Sequence, residues 1–294
     1  RGNQGAKTFR SKLNNQISKL PNYQIIKFSN KSMYKIKDLL IYPVKSLGGI
    51  RLDMANARWH GFELDRNWML LDQEFSCLTQ RELPELALFS LSKSSEELTV
   101  TFGNHAISFG IDQINGHKID SFVWNDPAEA TEVDDQVSHW FSDALNRKVF
   151  LVRMTNERSR SHFVQKLGGR LPVSFADGYP YLLAGETSLN YLNQQLNEPV
   201  DMMRFRPNMV VSTSEPHEED DWQLLQIGNA GFANIKPCGR CKIVTIDPVT
   251  AIQNNEPLTV LSRYRKKDNQ VLFGTNMICT KEGMIRIGDT VNLT

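Results

Sequence analysis

Between Tyr34 and Leu293 the apolar residues come in short β-branched and aromatic runs, each stopped within a few residues by proline, glycine or an Asn/Asp turn. A chain broken that often builds strands and turns rather than long helices. Tyr34–Tyr42 reads as a strand ending at Pro43, and Asn67–Leu71 as a second, turned by Asp72-Gln73-Glu74. Leu98–Phe102 and Ala106–Phe109 flank Gly103-Asn104 as a hairpin, and Ile119–Trp124 stops at Asn125-Asp126-Pro127. The period then changes: Asp134–Leu145 sets Val137, Trp140, Phe141 and Ala144 at helical spacing behind acidic residues. Val149–Arg153 returns to strand, and the polar run 155–169 is expected to be a mobile loop. Further on, Tyr181–Ala184, Met209–Ser212, Leu224–Ile227, Ala233–Lys236 and Lys242–Ile246 read as strands, and Glu186–Leu196 as a helix. Met284–Leu293 reads as two short strands about a Gly288-Asp289 turn. The expected fold is mainly β with α, in two barrel-like halves, with a helical region around 127–145 joining or decorating them.

Charge divides the chain unevenly. Residues 1–32 carry seven Lys or Arg and no acid, while the remainder carries 27 basic against 33 acidic residues. The basic stretch is expected to be a disordered leader or an extension added for expression, ahead of a natural start at Met33. The acidic body argues against a nucleic-acid partner, because phosphate backbones demand clustered Lys and Arg. No apolar run reaches the ~20 residues that span a bilayer, and no signal-peptide pattern opens the chain. Four cysteines in 294 residues are too few for a disulfide scaffold, so a reducing, cytoplasmic setting is expected.

Two of those cysteines stand together in Lys236-Pro237-Cys238-Gly239-Arg240-Cys241. A dithiol-exchange site would place such a pair at the start of a helix, whose field lowers the thiol pKa. Here the β-branched run Lys242–Ile246 follows and ends at Asp247-Pro248, which leaves no room for one. Structural zinc would want four close ligands, yet Cys77 and Cys279 are remote, in apolar surroundings that suit small core residues. A third use is one thiolate on a softer metal, with Arg240 and Lys236 stabilising negative charge. Spacing alone does not choose among the three.

Six segments, in order, resemble the MOSC-domain proteins with an amino-terminal barrel, the family of the mitochondrial amidoxime-reducing component and its bacterial relatives. They are Ile41-Tyr42-Pro43-Val44-Lys45-Ser46, Asp65-Arg66-Asn67-Trp68, Asp177-Gly178-Tyr179-Pro180, Phe205-Arg206-Pro207-Asn208, Cys238-Gly239-Arg240-Cys241 and Gly288-Asp289. The resemblance implies an N-terminal MOSC-associated β-barrel over residues 33–150 and a C-terminal MOSC β-barrel over 151–294. It implies a molybdenum cofactor, Mo-molybdopterin, with Cys241 as metal ligand and Cys238 in the non-ligand position. Lys45, Ser46 and Arg66 match positions holding the cofactor phosphate, Arg206 and Asn208 positions near the pterin or phosphate. Those residue types suit a phosphate dianion, to which Lys, Arg and a short hydroxyl give charge-assisted hydrogen bonds. Asp177 matches a position at the open face of the metal, where it would handle protons; as an Asp-Gly pair it also suits a turn cap. Tyr179 and Thr79-Gln80-Arg81 fall where the pocket is lined. Pyridoxal phosphate binding is a further association of the family.

The activity implied is two-electron reduction of small N-hydroxylated compounds. No iron–sulfur cysteine cluster and no Gly-x-Gly-x-x-Gly segment after a strand is present, so electrons are expected from an external donor protein of ferredoxin, flavodoxin or cytochrome b5 type. The alternative is a non-catalytic cofactor or sulfur carrier that uses the same Cys241.

Overall fold

A computed structural model describes residues 34–124, 126–155 and 160–293. The basic stretch 1–32 lies outside the described residues. One sheet of nine strands dominates. Its order is Ile50–Arg51, Ile36–Ile41, Met209–Val211, Tyr181–Gly185, Gln270–Lys281, Ala230–Arg240, Leu224–Ile227, Val291–Leu293, with Lys266–Lys267 paired to the side of Gln270–Lys281. Tyr181–Gly185 and Met209–Val211 run parallel, so their connection must cross over, and the helix Glu186–Asn193 lies within it. A second sheet orders Trp68–Asp72, Val149–Met154, Asp126–Glu132 and Lys118–Val123. The hairpin Glu97–Phe102/His105–Gly110 forms as the Gly103-Asn104 turn predicts, with Ser90–Lys93 alongside it.

Strand pairing crosses residue 150 in both directions. Ile36–Ile41 is antiparallel to Met209–Val211, and Met54–Arg58 to Gly283–Arg286, while Val149–Met154 pairs with Trp68–Asp72. The chain therefore passes from the large sheet, through its edge strand Ile50–Arg51 and the short strand Met54–Arg58, into the smaller sheet at Trp68, and residues 42–47 lie at the seam between them. Each side has its own core: Leu39, Ile41, Phe62, Tyr181, Met209 and Phe232 in one, Leu70, Phe89, Phe141 and Leu151 in the other, all fully buried or nearly so. Each such side chain contributes about 1.5–3 kcal/mol by leaving water, which holds the seam rigid from both flanks. Among the described residues no helix is long and apolar enough to cross a membrane.

Three local expectations need correction. The helix near residue 140 covers Asp135–Leu145, capped by the Asp134 carboxylate accepting from Gln136 N at 2.9 Å, but residues 126–132 are a strand. That strand turns Ala128 and Ala130 inward and Glu129 outward, an alternation too weakly apolar to read. Pro127 is tolerated because the strand is paired on one side only at that end. In the polar run 155–169, Ser161–Val164 pairs with Gly169–Pro172 as a hairpin. Lys242–Thr245 is a 3-10 turn rather than a strand. The sheet pairing is taken up by Ala230–Arg240, and the chain departs at Cys241 to bury Val244 among Phe205 and Phe273. Its β-branched residues reflect burial, and the absence of a long helix after the cysteine pair stands.

Candidate functional site

Lys45 and Ser46 follow the strand Ile36–Ile41 into the seam, where Lys45 N donates to Trp68 O at 2.8 Å. The Lys45 side chain is buried, and its Nζ donates to Phe175 O at 2.9 Å and to Asp177 Oδ1. Arg66 is tied in by its own N–H to Tyr42 O at 2.9 Å. Its guanidinium donates to Asp65 Oδ2 at 2.5 Å, Asn208 Oδ1 at 3.2 Å and Arg206 O at 3.3 Å. Arg206 follows the 3-10 turn Met202–Phe205 and donates to Leu47 O at 2.7 Å. Both guanidiniums lie over one ring, their Cζ atoms 4.5 Å and 4.2 Å from the Tyr42 centroid. Ser46, Arg66 and Arg206 all hold left-handed backbone, with φ of 70°, 51° and 56°. Non-glycine residues adopt that region at a cost of about 1 kcal/mol or more, and here three converge on one place.

The electrostatics follow from this crowding. Burial, then the neighbouring Arg66 charge, lowers Arg206 to about 10. Burial pushes the Tyr42 phenol well up despite both arginines. Burial alone would raise Asp177, but Lys45 and Arg81 override it and hold the carboxyl far below the ordinary carboxylate range.

At the other end of the cleft stand the cysteines. The strand Ala230–Arg240 slips register between Asn234 and Lys236 and again between Pro237 and Gly239; such bulges re-aim side chains beside functional sites. Arg240 donates to Cys238 Sγ at 3.2 Å and to Phe205 O at 2.6 Å. Cys241 Sγ accepts from Arg81 Nη2 at 3.5 Å, and the same nitrogen donates to Asp177 Oδ2 at 3.1 Å. All four cysteines are free thiols, and Cys279 is buried in the core.

Lys45, Ser46, Arg66, Asp177, Arg206, Asn208, Arg240 and Cys241 line this one cleft of about 420 Å³, with Arg81 and Tyr179; Thr79 lines the neighbouring cavity instead, and Gln80 is buried, its Nε2 donating to Ser46 O at 2.6 Å. Their behaviour is less uniform than their placement. Asn208 is buried and its Oδ1 takes hydrogen bonds from Arg66 and from Leu182 N, while its Nδ2 donates to Leu40 O. It positions Arg66 and ties two strands, with one N–H left over. Arg240 grips Cys238 rather than Cys241. Trp124, His162, Gln270 and Asn276 also face the cleft and went unread, because each sits in a segment whose only sequence signal is that of a strand or loop.

Among the described residues six cations line the cleft (Lys45, Arg66, Arg81, Arg206, Lys236, Arg240) against one carboxylate, Asp177. The Arg240 Nε is buried without a partner among the described residues. An anionic ligand meets that imbalance. Among the described residues no three His, Cys, Asp or Glu side chains converge to hold a metal ion.

The comparisons with known proteins agree with the fold. Residues 170–292 match the MOSC domain, and residues 33–148 the MOSC N-terminal beta barrel domain. The chain belongs to the MOSC family, in the form that carries the N-terminal barrel. It is 30% identical over 277 residues to the mitochondrial amidoxime reducing component 2 of Rattus norvegicus, covering 87% of this chain and 82% of that protein. The Bos taurus counterpart is 29% identical, with the same coverage. The molybdenum cofactor sulfurase of Oryza sativa subsp. japonica is 32% identical over 81% of this chain, but the chain spans only 32% of that protein's length.

Proposed function

We propose that this protein binds a molybdenum cofactor in the cleft and reduces small N-hydroxylated compounds with electrons from an external donor protein. The observation that carries the proposal is the pairing of a half-buried thiol, Cys241, with a strongly cationic cleft of about 420 Å³. Cys241 would ligate the metal, and Lys45, Ser46, Arg66 and Arg206 would hold the phosphate. The bound group would supply two-electron redox chemistry at its metal.

The chain's own residues supply the rest. Arg66 and Arg206 are held over Tyr42 before any ligand arrives, so the anion site costs little reorganisation. Arg81 holds a cation against the Cys241 sulfur, its Nη2 3.5 Å from Sγ. Asp177, charged and bound by Lys45 and Arg81, cannot donate a proton at neutral pH. Its fitting role is to orient Arg81 and to accept a hydrogen bond from an N–OH or N–H group. Proton delivery therefore falls to water or to a group on the substrate.

The similarity to the cofactor sulfurases favours a second reading, a cofactor or sulfur carrier using the same thiol. The two separate on turnover. The reductase reading expects molybdenum-replete protein to reduce benzamidoxime with a reconstituted donor, and replete protein inert towards a panel of N-oxygenated compounds would sink it.

A further inference from the structure

Beside the cleft lies a second cavity of about 340 Å³, which shares Lys45, Arg81, Trp124 and Asp177 with it. Its outer wall is aromatic. Phe75, Phe122 and Trp124 are 43%, 56% and 58% exposed, three of ten large apolar side chains left open among the described residues. A bridge between Ser76 and Phe122 ties the two wall segments together.

Two of these rings are kept against the preference of their own backbone. Phe75 and Trp124 both hold φ of 58°, a region bulky residues avoid and glycine or asparagine enters freely. Phe75 ends a turn closed by its N–H to Asp72 O at 3.0 Å, and Trp124 follows the strand Lys118–Val123. Phe75 also packs against Phe150, ring centroids 5.5 Å apart, but 43% of Phe75 and 58% of Trp124 stay open to water, so packing alone does not account for them.

The wall is also coupled to the thiol. The Arg81 guanidinium stacks on Trp124 with its Cζ 4.8 Å from the ring centroid, and the same group donates to Cys241. Glu74, Glu82 and Asp120 line the cavity as well, so an arene carrying a carboxylate meets like charge.

We infer that this second cavity is the substrate pocket, taking the aryl group of an uncharged N-hydroxylated compound with its polar head at the shared wall of Arg81 and Asp177. The ring packs against Phe75, Phe122 and Trp124, and a cavity of this size holds one ring with a short substituent. The inference rests on the reductase reading for the identity of the head group.

Two arms test it. In the first, metal-free protein is titrated with a fluorine-labelled benzamidoxime and binding is followed by fluorine NMR. Wild type is expected to bind, and Phe122→Ser and Trp124→Ala to bind about tenfold more weakly, the loss expected for removing an aromatic wall. Equal binding by all three overturns the inference. In the second arm, metal-replete protein is assayed with benzamidoxime and with hydroxylamine, which has no apolar part. The ratio of kcat/KM for the two is expected to fall about tenfold in Trp124→Ala. If the wall instead docks the electron-donor protein, both rates drop together and the ratio holds, which refutes the substrate assignment. Wild type that reduces neither compound refutes the reductase reading, while the binding arm still decides the pocket.

Discussion

Replacing Arg206 with methionine separates a cation kept for a ligand from one kept for the fold. The depression of Arg206 from its ordinary 12.5 to about 10 corresponds to about 3 kcal/mol held against the charged form, at about 1.4 kcal/mol per pH unit. The side chain keeps an edge open to the cleft, so screening reduces this to about 1–2 kcal/mol. Methionine removes that burden. It also loses the bond to Leu47 O, worth about 1 kcal/mol, and the contact with the Tyr42 ring, worth about 0.5–1 kcal/mol. Gain and loss nearly cancel. Arg206→Met should therefore lie within about 1 kcal/mol of wild type, a shift in Tm below about 4 °C for a chain of this size. Without that relieved burden, the same lost contacts would cost about 1.5–2 kcal/mol. The assay is thermal unfolding of the metal-free protein with and without millimolar pyrophosphate. Wild type should be stabilised by the anion, and R206M should lose at least half of that gain. A large drop in Tm without ligand, or undiminished stabilisation by pyrophosphate in the variant, would refute the reasoning.

Other perturbations bear on neighbouring parts of the site. Asp177→Asn leaves the buried Lys45 ammonium with neutral acceptors only, Phe175 O and the amide oxygen, so the metal-free protein should lose about 1–2 kcal/mol in urea unfolding, modest because the carboxylate is half exposed. The same change removes the one carboxylate lining the cleft among the described residues and should tighten pyrophosphate binding, read by calorimetry. Asn208→Ala strips partners from Leu40 O, Leu182 N and Arg66 and should cost about 2–3 kcal/mol of stability by the same unfolding assay. Burial, helped by the nearby Arg265 charge, lowers His217 to about 4. The unfolded chain, with an ordinary histidine near 6.5, takes up that proton first, so stability falls as pH drops from about 6.5 to 4. His217→Gln should flatten the fall by about 1–2 kcal/mol between pH 7 and pH 5, discounted for partial exposure; parallel curves for the two proteins would dismiss the assignment.

What could be read from residues alone was the material of the site, not its wiring. Lys45, Arg66, Arg206 and Cys241 stood in recognisable order, and the structure gathers them into one cleft. The contact between Arg81 and Cys241 joins residues 160 apart in the chain, which no local pattern encodes. Arg160 shows why the hairpin Ser161–Val164/Gly169–Pro172 was missed. A charged residue reads as surface, yet this one is fully buried, donating to the carbonyl oxygens of Ser174, Ala176 and Asp177 and so shaping the segment that carries Asp177. The strand Gln270–Lys281 escaped for a different reason. Gly274, at φ of 68°, and the polar Thr275 and Asn276 interrupt its alternation. A Cβ at Gly274 would come within 2.7 Å of Leu183 O, so glycine is required at this approach of the two strands. Opposite the cysteine pair, that same strand supplies Gln270 and Asn276 to the cleft wall.

The central claim, that the Cys241 thiolate holds molybdenum, is tested most directly by elemental analysis of protein made in a host able to synthesise the cofactor. Wild type and Cys238→Ser should each carry molybdenum close to one atom per chain, while Cys241→Ser should fold with an unchanged Tm and carry little. Equal molybdenum in Cys241→Ser and wild type, or stoichiometric zinc in place of molybdenum, would contradict the account.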